Sequence, residues 1–387
     1  MLISGWMTAP GPSIAGCTRR ALMWGLLGGA LHAVQKRKLW PSEQRRYLDP
    51  ATEFTIERLT NPAYSSRLPS PPARAIARRG GFLLFSSERS GSWQLYRLDE
   101  RSGQAQQLTQ AAAVDPHAFT LVGNDDSFCY LDEGLVRRVD LEGLKERVLY
   151  RLPPGWRLEG GLSPSADGKE IALVETDGRR WVMRLIASKR GRVNTVLERA
   201  APLRAPLLDP RRRQVLYLHQ EGAFLCGRNG EANQRVPAPP GAVTQAMWSA
   251  DGRAILYLHR PAEKNKLVAI REYDWQRHTD RLVAETSQFA CFAVNSDGSV
   301  FVGASANVAS PHVLLLLRVT RRELTLCEHR ATDASSVCPT FSPDSRRLYF
   351  QSDREGKSAL YRMALERLIE PTDLEPAPSR GGMGRSR

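Results

Sequence analysis

Two histidines follow apolar runs at similar points of the chain, and imidazole is a side chain that can do acid–base chemistry. His219 stands in YLHQEG and His259 stands in YLHRPAE. A neutral imidazole accepts a proton near neutral pH, so a histidine at the end of an inner strand can serve as a base if it faces a channel. The alternative is that each histidine caps a surface loop.

The cysteines show no pattern typical of a metal site or a redox site. They form no CxxC pair and no zinc-type spacing, and they stand at Cys17, Cys129, Cys226, Cys291, Cys327 and Cys338. Several lie in apolar runs such as FCYL and FLCG, which is typical of buried structural thiols. The chain has no G-x-S-x-G elbow, phosphate loop or dinucleotide fingerprint, so serine hydrolase and nucleotide-binding chemistry are excluded.

A repeated hairpin phrase identifies the elements that must position these side chains. Its four copies are SADGKEIAL (165–173), SADGRAILYL (249–258), NSDGSVFVG (295–303) and SPDSRRLYF (342–350). The Asp-Gly pair is typical of a two-residue strand connection. A period of roughly 40–50 residues is typical of a propeller with four-stranded blades. We therefore predict an all-β fold, a seven-bladed β-propeller with blades starting near Pro69, Asp115, Trp156, Pro202, Ala242, Ser287 and Ser336.

The last blade lacks a recognisable outer strand after SALYRMAL. The segment FTIERLT (Phe54–Thr60) resembles QAQQLTQ of blade one, so we predict that it completes the last blade. An N-terminal strand in that place closes the ring and removes open sheet edges. The predicted propeller covers residues 38–369, and residues 370–387 are predicted to form a disordered basic tail.

The N-terminus indicates export. In TRRALMWGLLGGALHA (Thr18–Ala33), two arginines precede an apolar run too short to span a bilayer, as in a twin-arginine signal peptide. We therefore expect residues 1–33 to be a signal peptide and the mature protein to be periplasmic or secreted. The alternative is a lipoprotein signal ending at Cys17 in IAGC. No later apolar run reaches the length of a membrane span.

The net charge of +14 is partly carried by the N-terminus, where the first 38 residues hold five basic and no acidic side chains. The remaining excess suits an acidic ligand, although it is also ordinary solubilising charge. Aromatic-basic motifs of the nucleic-acid kind are absent. We expect an acidic oligosaccharide or a periplasmic protein as the partner, with no nucleic acid and no membrane span.

Longer segments carry a family resemblance. The hairpin phrase with SDREG (352–356) looks like the repeats of TolB-type periplasmic propellers, and KLWPSEQRRYLDPATEFTIERLT (38–60) resembles the opening of the oligogalacturonate lyases. SERSGSWQLYRLDERSGQAQQLT (87–109), VDLEGLKERVLYRLP (139–153) and CPTFSPDSRRLYFQSDREGKSALYRM (338–363) extend this second resemblance. It implies a seven-bladed propeller that cleaves oligogalacturonides by β-elimination.

The resemblance also implies a metal site, in which three histidines and a glutamine hold a divalent ion, usually manganese. The positions that match those ligands carry Asp333, Ser336, Cys338 and Cys291. None keeps the ligand of the family. We therefore expect no cofactor, with manganese only if the family site were retained. The alternative is a softer metal held by the carboxylate and the two thiols.

A histidine in a phrase like HEGP is a further family feature. YLHRPAE resembles this phrase and places His259 at the corresponding point, and YLHQEG echoes it one blade earlier with His219, so the resemblance implies His259 as the base. The resemblance predicts an oligogalacturonate lyase-like protein of pectin breakdown, a carbon–oxygen lyase if active. The substituted ligand positions instead favour a non-catalytic TolB-like propeller that binds a carbohydrate or protein partner.

Overall fold

The computed structural model describes residues 38–79 and 81–365. They form seven antiparallel sheets of four or five strands, with one short 3-10 helix. The prediction of an all-β, seven-bladed propeller is confirmed. The predicted signal peptide (1–33) and basic tail (370–387) lie outside the described residues. Within the described residues, no helix has the length and apolarity needed to cross a membrane.

The strands follow the chain from blade to blade. Before blade one come β1 (Leu39–Trp40), β2 (Arg45–Leu48) and β3 (Thr55–Arg58). Blade one adds β4 (Ser66–Arg67), β5 (Phe82–Ser87), β6 (Gln94–Asp99) and β7 (Ala105–Gln107). Blade two has β8 (Val114–Val122), β9 (Ser127–Asp132), β10 (Leu135–Asp140) and β11 (Glu146–Arg151). Blade three has β12 (Arg157–Leu158), β13 (Ser163–Pro164), β14 (Glu170–Thr176), β15 (Trp181–Ala187) and β16 (Val193–Arg199).

The second half repeats this order. Blade four has β17 (Leu203–Leu208), β18 (Gln214–His219), β19 (Gly222–Gly227) and β20 (Gln234–Arg235). Blade five has β21 (Gly241–Trp248), β22 (Ala254–Pro261), β23 (Ala269–Asp274) and β24 (Thr279–Glu285). Blade six has β25 (Phe289–Val294), β26 (Val300–Ser305), β27 (His312–Leu317) and β28 (Glu323–Glu328). Blade seven has the 3-10 helix (Ala334–Val337), β29 (Thr340–Phe341), β30 (Arg347–Ser352) and β31 (Ala359–Ala364).

The N-terminal segment closes the ring as predicted. Strand β3 pairs antiparallel with β31, matching Glu57 with Arg362, and β2 pairs with β3 on the outside. Strand β1 then pairs with β7 of blade one. The segment thus adds strands to both the last and the first blade, so the two ends of the described propeller are held together by ladder hydrogen bonds.

The hairpin phrases form a longer turn than the two-residue connection that we expected. Four residues separate Ser165 from Glu170, whose carbonyl accepts the Ser165 N–H at 2.8 Å. Gly168 alone takes a positive φ, of 66°, and the Asp167 carboxylate accepts the Ser165 hydroxyl and the Lys169 N–H. The aspartate closes this turn with its side chain, as Asp commonly does.

Apolar side chains from neighbouring sheets pack between the blades. Leu256, Leu258 and Ile270 of blade five, for example, share one buried cluster with Phe292 and Phe301 of blade six. Because each blade buries its faces against the next, the ring fixes the inner strands around a common channel.

Candidate functional site

A cavity of about 400 Å³ lies among the inner strands of several blades. The lining segments belong to blades one, four, five, six and seven, so the cavity is the central channel. Its polar side chains are few: Thr244, Gln245, Cys291, Ser335, Cys338 and Thr340. No carboxylate, imidazole, ammonium or guanidinium belongs to this lining in the part of the chain described.

Gln245 uses its whole amide to join two inner strands. Its Nε2 donates to the carbonyl oxygen of Phe292 at 2.8 Å, and its Oε1 accepts the Phe292 N–H at 2.9 Å. The side chain therefore mimics a strand partner between blades five and six. Because the Gln245 amide already bonds to the main chain of Phe292 through both of its polar atoms, it has little hydrogen-bonding capacity left for a ligand.

The four positions matched to the family's metal ligands lie near one another, where β25 meets the 3-10 helix. The Asp333 carboxylate accepts the Ser335 N–H at 2.9 Å and caps this helix. The Ser336 hydroxyl donates to the Asp333 carbonyl at 2.7 Å. The two side chains that could offer an oxygen ligand, Asp333 and Ser336, therefore hydrogen-bond within their own turn.

The two thiols are also engaged locally. Cys291 is buried and its Sγ lies 3.6 Å from the Ala334 carbonyl oxygen, while Cys338 Sγ lies 3.5 Å from that of Ser335. Burial raises the pKa of the Cys291 thiol to about 11 and also raises that of Cys338. Metals bind the thiolate, so raised pKa values disfavour binding.

These residues do not fit manganese. This ion prefers carboxylate, carbonyl, water and imidazole ligands, whereas the matched positions offer two protonated thiols, a hydroxyl and a capping carboxylate. Among the residues that the structure covers, no group of three or more His, Cys, Asp or Glu side chains is arranged to hold a metal ion. The softer mixed site considered from the sequence gains no support from this arrangement.

His259 does not face the channel, contrary to our expectation. It lies within the second strand of blade five, opposite Val243 and Ala269, and is buried. Its Nε2 lies 3.1 Å from the Pro239 carbonyl oxygen. Burial lowers the pKa of His259. The ring supports the loop at residues 237–240, which is closer to the loop-capping alternative.

His219 is less enclosed than His259. It is half-buried at the end of β18, opposite Leu203, and its ring packs edge-on against Phe224 at 5.6 Å between ring centres. Its Nδ1 lies 3.0 Å from the Pro202 carbonyl oxygen, which can only accept, so Nδ1 carries the hydrogen. The Nε2 lone pair is then free to accept a proton. Of the two histidines predicted from the sequence, His219 therefore has the better geometry for a base.

A charged cluster that we did not predict lies beside the channel. Arg67 ends β4, immediately before the cavity-lining Leu68, and its Nη1 lies 3.3 Å from Nε2 of His117 on β8. Its guanidinium carbon lies 5.9 Å from the ring centre of Trp93. Arg67 and His117 lie on strands of different blades, 50 residues apart, so only an alignment of the start of each blade would have suggested them.

Comparison with known protein sequences shows which family this chain resembles. The pattern of the oligogalacturonate lyase family matches residues 34–195, a segment that ends before Cys291. An oligogalacturonate lyase of Dickeya dadantii and an oligogalacturonide lyase of Pectobacterium atrosepticum are each 23% identical over 367 residues. Each match covers 81% of this chain and 94% of the relative.

Solved structures agree on the fold. An oligogalacturonate lyase in complex with manganese superposes with a TM-score of 0.79 at 23% identity, covering 85% of this chain and 98% of the other. An oligogalacturonate lyase from Vibrio parahaemolyticus gives a TM-score of 0.79 at 20% identity, with 87% and 100% covered. Together with the sequence matches, these findings confirm the resemblance to the oligogalacturonate lyases and the seven-bladed fold that it implies.

Proposed function

We propose that this chain binds short galacturonate oligosaccharides at the mouth of the channel and does not cleave them by manganese-assisted β-elimination. One observation carries the proposal: the side chains at the four matched ligand positions hold the turn at Asp333–Cys338 together instead of presenting metal ligands. The excess of positive charge on the chain suits the carboxylates of such a ligand.

The chemistry explains why the ligand positions matter. In β-elimination a base removes the C5 proton of the uronate, a C4–C5 double bond forms, and the glycosidic oxygen at C4 leaves with a proton. The C5 proton is weakly acidic, so a cation on the carboxylate must stabilise the developing charge. A histidine alone does not supply that stabilisation.

The lyase reaction is the competing function, and His219 is the observation that favours it. Its Nε2 has no hydrogen-bond partner among the described residues and is suited to removing a proton, and the family match supports uronate chemistry. A cationic side chain would then have to replace the metal. A propeller that binds a periplasmic protein, exported by the N-terminal segment, is the non-carbohydrate alternative.

The test uses digalacturonate and the purified chain, with and without added manganese. Calorimetric titration measures binding, and ultraviolet absorbance of the 4,5-unsaturated product measures cleavage. The proposal predicts saturable binding without a rise in absorbance under either condition. A manganese-dependent rise would overturn it in favour of the lyase. An absorbance rise lost in His219→Gln would identify the histidine-driven reaction. Absence of both binding and product would reject a galacturonate ligand.

A further inference from the structure

The Arg67 guanidinium lacks a carboxylate partner. Its Nε is buried and makes no hydrogen bond, and no ion pair joins Arg67 to an acidic side chain anywhere in residues 38–79 and 81–365. Asp353 is close enough to sense its charge, but Oδ1 of this carboxylate accepts the Thr332 N–H at 2.9 Å. The buried Nε is out of reach of a ligand, but the terminal Nη2 makes no hydrogen bond among the described residues, and a ligand carboxylate would supply its acceptor.

His117 stands beside this guanidinium on the neighbouring blade. Its main-chain N–H donates to Asp115 Oδ1 at 2.8 Å, and the main-chain carbonyl accepts the Ser70 N–H at 3.0 Å. The backbone is therefore fixed from both sides. Arg67 Nη1 can only donate, so the neutral imidazole accepts this hydrogen bond at Nε2, 3.3 Å away, and the two side chains meet at one place at the rim.

Trp93 completes the cluster with an aromatic surface. It is half-buried, packs on the apolar core between blades one and two, and lies within cation–π distance of Arg67. Packing fixes the indole, and a fixed aromatic face gives a sugar ring a flat apolar contact at low entropic cost. Charge recognition and ring recognition thus meet at one point of the rim.

We propose that Arg67, His117 and Trp93 form a subsite for one uronate residue, in which Arg67 and His117 hold the carboxylate and Trp93 packs against the sugar ring. The inference rests on the proposed function, since it names the residues that would recognise the galacturonate ligand. The subsite uses none of the positions matched to metal ligands, so it requires no cation.

The subsite should respond to pH. Burial, and then the Arg67 charge, lower the pKa of His117, while Asp115 opposes them. A bound carboxylate stabilises the imidazolium and so raises this pKa, and binding then takes up a proton. Digalacturonate should therefore bind more tightly at about pH 5.5 than at about pH 7.5. Asp353 faces Arg67 and is the other carboxylate in this region.

The experiment measures digalacturonate binding by calorimetry for four variants. Arg67→Met removes the guanidinium, and Arg190→Met removes an equal charge at an exposed turn position as the matched control. His117→Gln tests the pH response, with His312→Gln as its control. We expect Arg67→Met to weaken binding at least about tenfold. His117→Gln should abolish the pH dependence, and both controls should match the wild type.

The fully methyl-esterified digalacturonate distinguishes the subsite from a general carbohydrate surface. Esterification removes the ligand carboxylate that Arg67 is proposed to hold. The ester should therefore bind the wild type weakly, and it should bind Arg67→Met equally weakly. Wild-type affinity in Arg67→Met, with unchanged thermal unfolding, would overturn the subsite and leave the proposed function intact. A wild type that binds no digalacturonate would overturn both. Arg67→Lys keeps the charge but not the forked donors of the guanidinium. It is a milder substitution that controls for misfolding of Arg67→Met, and it should lose only part of the affinity.

Discussion

Glu43 Oε2 and Arg89 Nη2 lie 3.1 Å apart, and this ion pair joins the N-terminal segment to the hairpin of blade one. The Arg89 side chain is only 1% exposed and packs against Trp40, Phe85 and Tyr96. Arg89 Nη2 is close enough to Glu43 for an ion pair, but its geometry does not make a hydrogen bond. Arg89 Nε donates a separate hydrogen bond to Ser87 Oγ at 3.2 Å. Glu43 also accepts the Asn61 N–H at 2.9 Å.

Glu43→Gln should destabilise the closed ring. The substitution keeps the shape but leaves Arg89 buried without a countercharge, which we expect to cost about 2 kcal/mol of unfolding free energy. Urea unfolding measures the change. Glu285→Gln, at an exposed position in blade five, removes the same charge and should change the free energy by less than about 0.5 kcal/mol. Equal effects in the two variants would contradict a specific role for the pair.

Asp49→Asn should loosen the same segment at its other end. Asp49 is 1% exposed, and its two oxygens accept the N–H groups of Ala51 and Glu328, each at 3.1 Å. An amide in this place must turn its NH₂ towards one of these donors, so we expect a loss of about 1–3 kcal/mol. Hydrogen exchange at β3 and β28 should accelerate. Unchanged exchange in both strands would contradict this anchoring role.

These contacts explain how much of the fold could be predicted. Trp40, Glu43, Asp49 and Arg89 belong to the segments that carried the family resemblance, and in the structure they hold the N-terminus onto the ring. The repeats also predicted the blades, because each hairpin places a polar turn at a fixed point. The turn type was missed, since Asp-Gly suits both a two-residue turn and the longer one closed by Asp167.

The site was less predictable, for a physical reason. A histidine after an apolar run has the same sequence signal whether its ring faces a channel or supports a loop, so His219 and His259 could not be separated. The Arg67–His117 contact depends on the placement of two inner strands from different blades. Nothing local in the sequence indicates such a contact. The repeats predict the blades, whereas the side-chain contacts at the rim of the channel depend on how neighbouring blades pack.

Gln245→Leu should separate blades five and six locally. The substitution removes two hydrogen bonds and leaves the N–H and carbonyl of Phe292 without partners, which we expect to cost about 2 kcal/mol. Hydrogen exchange at Phe292 should accelerate more than in the cores of other blades. Gln276→Leu, at an exposed turn, is the matched control and should leave exchange unchanged. Similar exchange at Phe292 in both variants would argue against the bridge.

His329 should contribute a pH dependence to stability. It is buried, its Nε2 lies 2.9 Å from the Ser305 carbonyl oxygen, and its Nδ1 accepts the Ala331 N–H. Burial lowers the pKa of His329. Its folded-state pKa therefore lies below the unfolded value of about 6.5, so stability is full above that pH and is lost as the pH falls.

The slope that His329 adds is at most about 1.4 kcal/mol per pH unit, the limit for one proton. His329→Gln should lower stability at neutral pH and remove this share of the slope below about pH 6.5. Urea unfolding at several pH values gives both quantities. His278→Gln, at an exposed turn that does not contact His329, should retain the wild-type slope. A wild-type slope in His329→Gln would assign the acid sensitivity to other groups.

Restoring the ligands of the family should restore manganese binding. The combined variant Asp333→Gln, Ser336→His, Cys338→His and Cys291→His places an amide and three imidazoles at the matched positions. The cavity of about 400 Å³ leaves room for the larger rings, and position 338 has a φ of 46°, which histidine tolerates better than most residues. We expect about one manganese per chain and a manganese-dependent rise in Tm, because a ligand that binds only the folded state stabilises it.

The wild type and the single variant Ser336→His are the controls for this reconstitution. Neither should bind manganese stoichiometrically, because one imidazole beside two protonated thiols does not complete a site for a hard cation. Metal analysis after dialysis and a thermal scan with and without manganese measure the outcome. Stoichiometric manganese in the wild type would show that other residues hold the ion, and the binding-only proposal would then give way to the lyase.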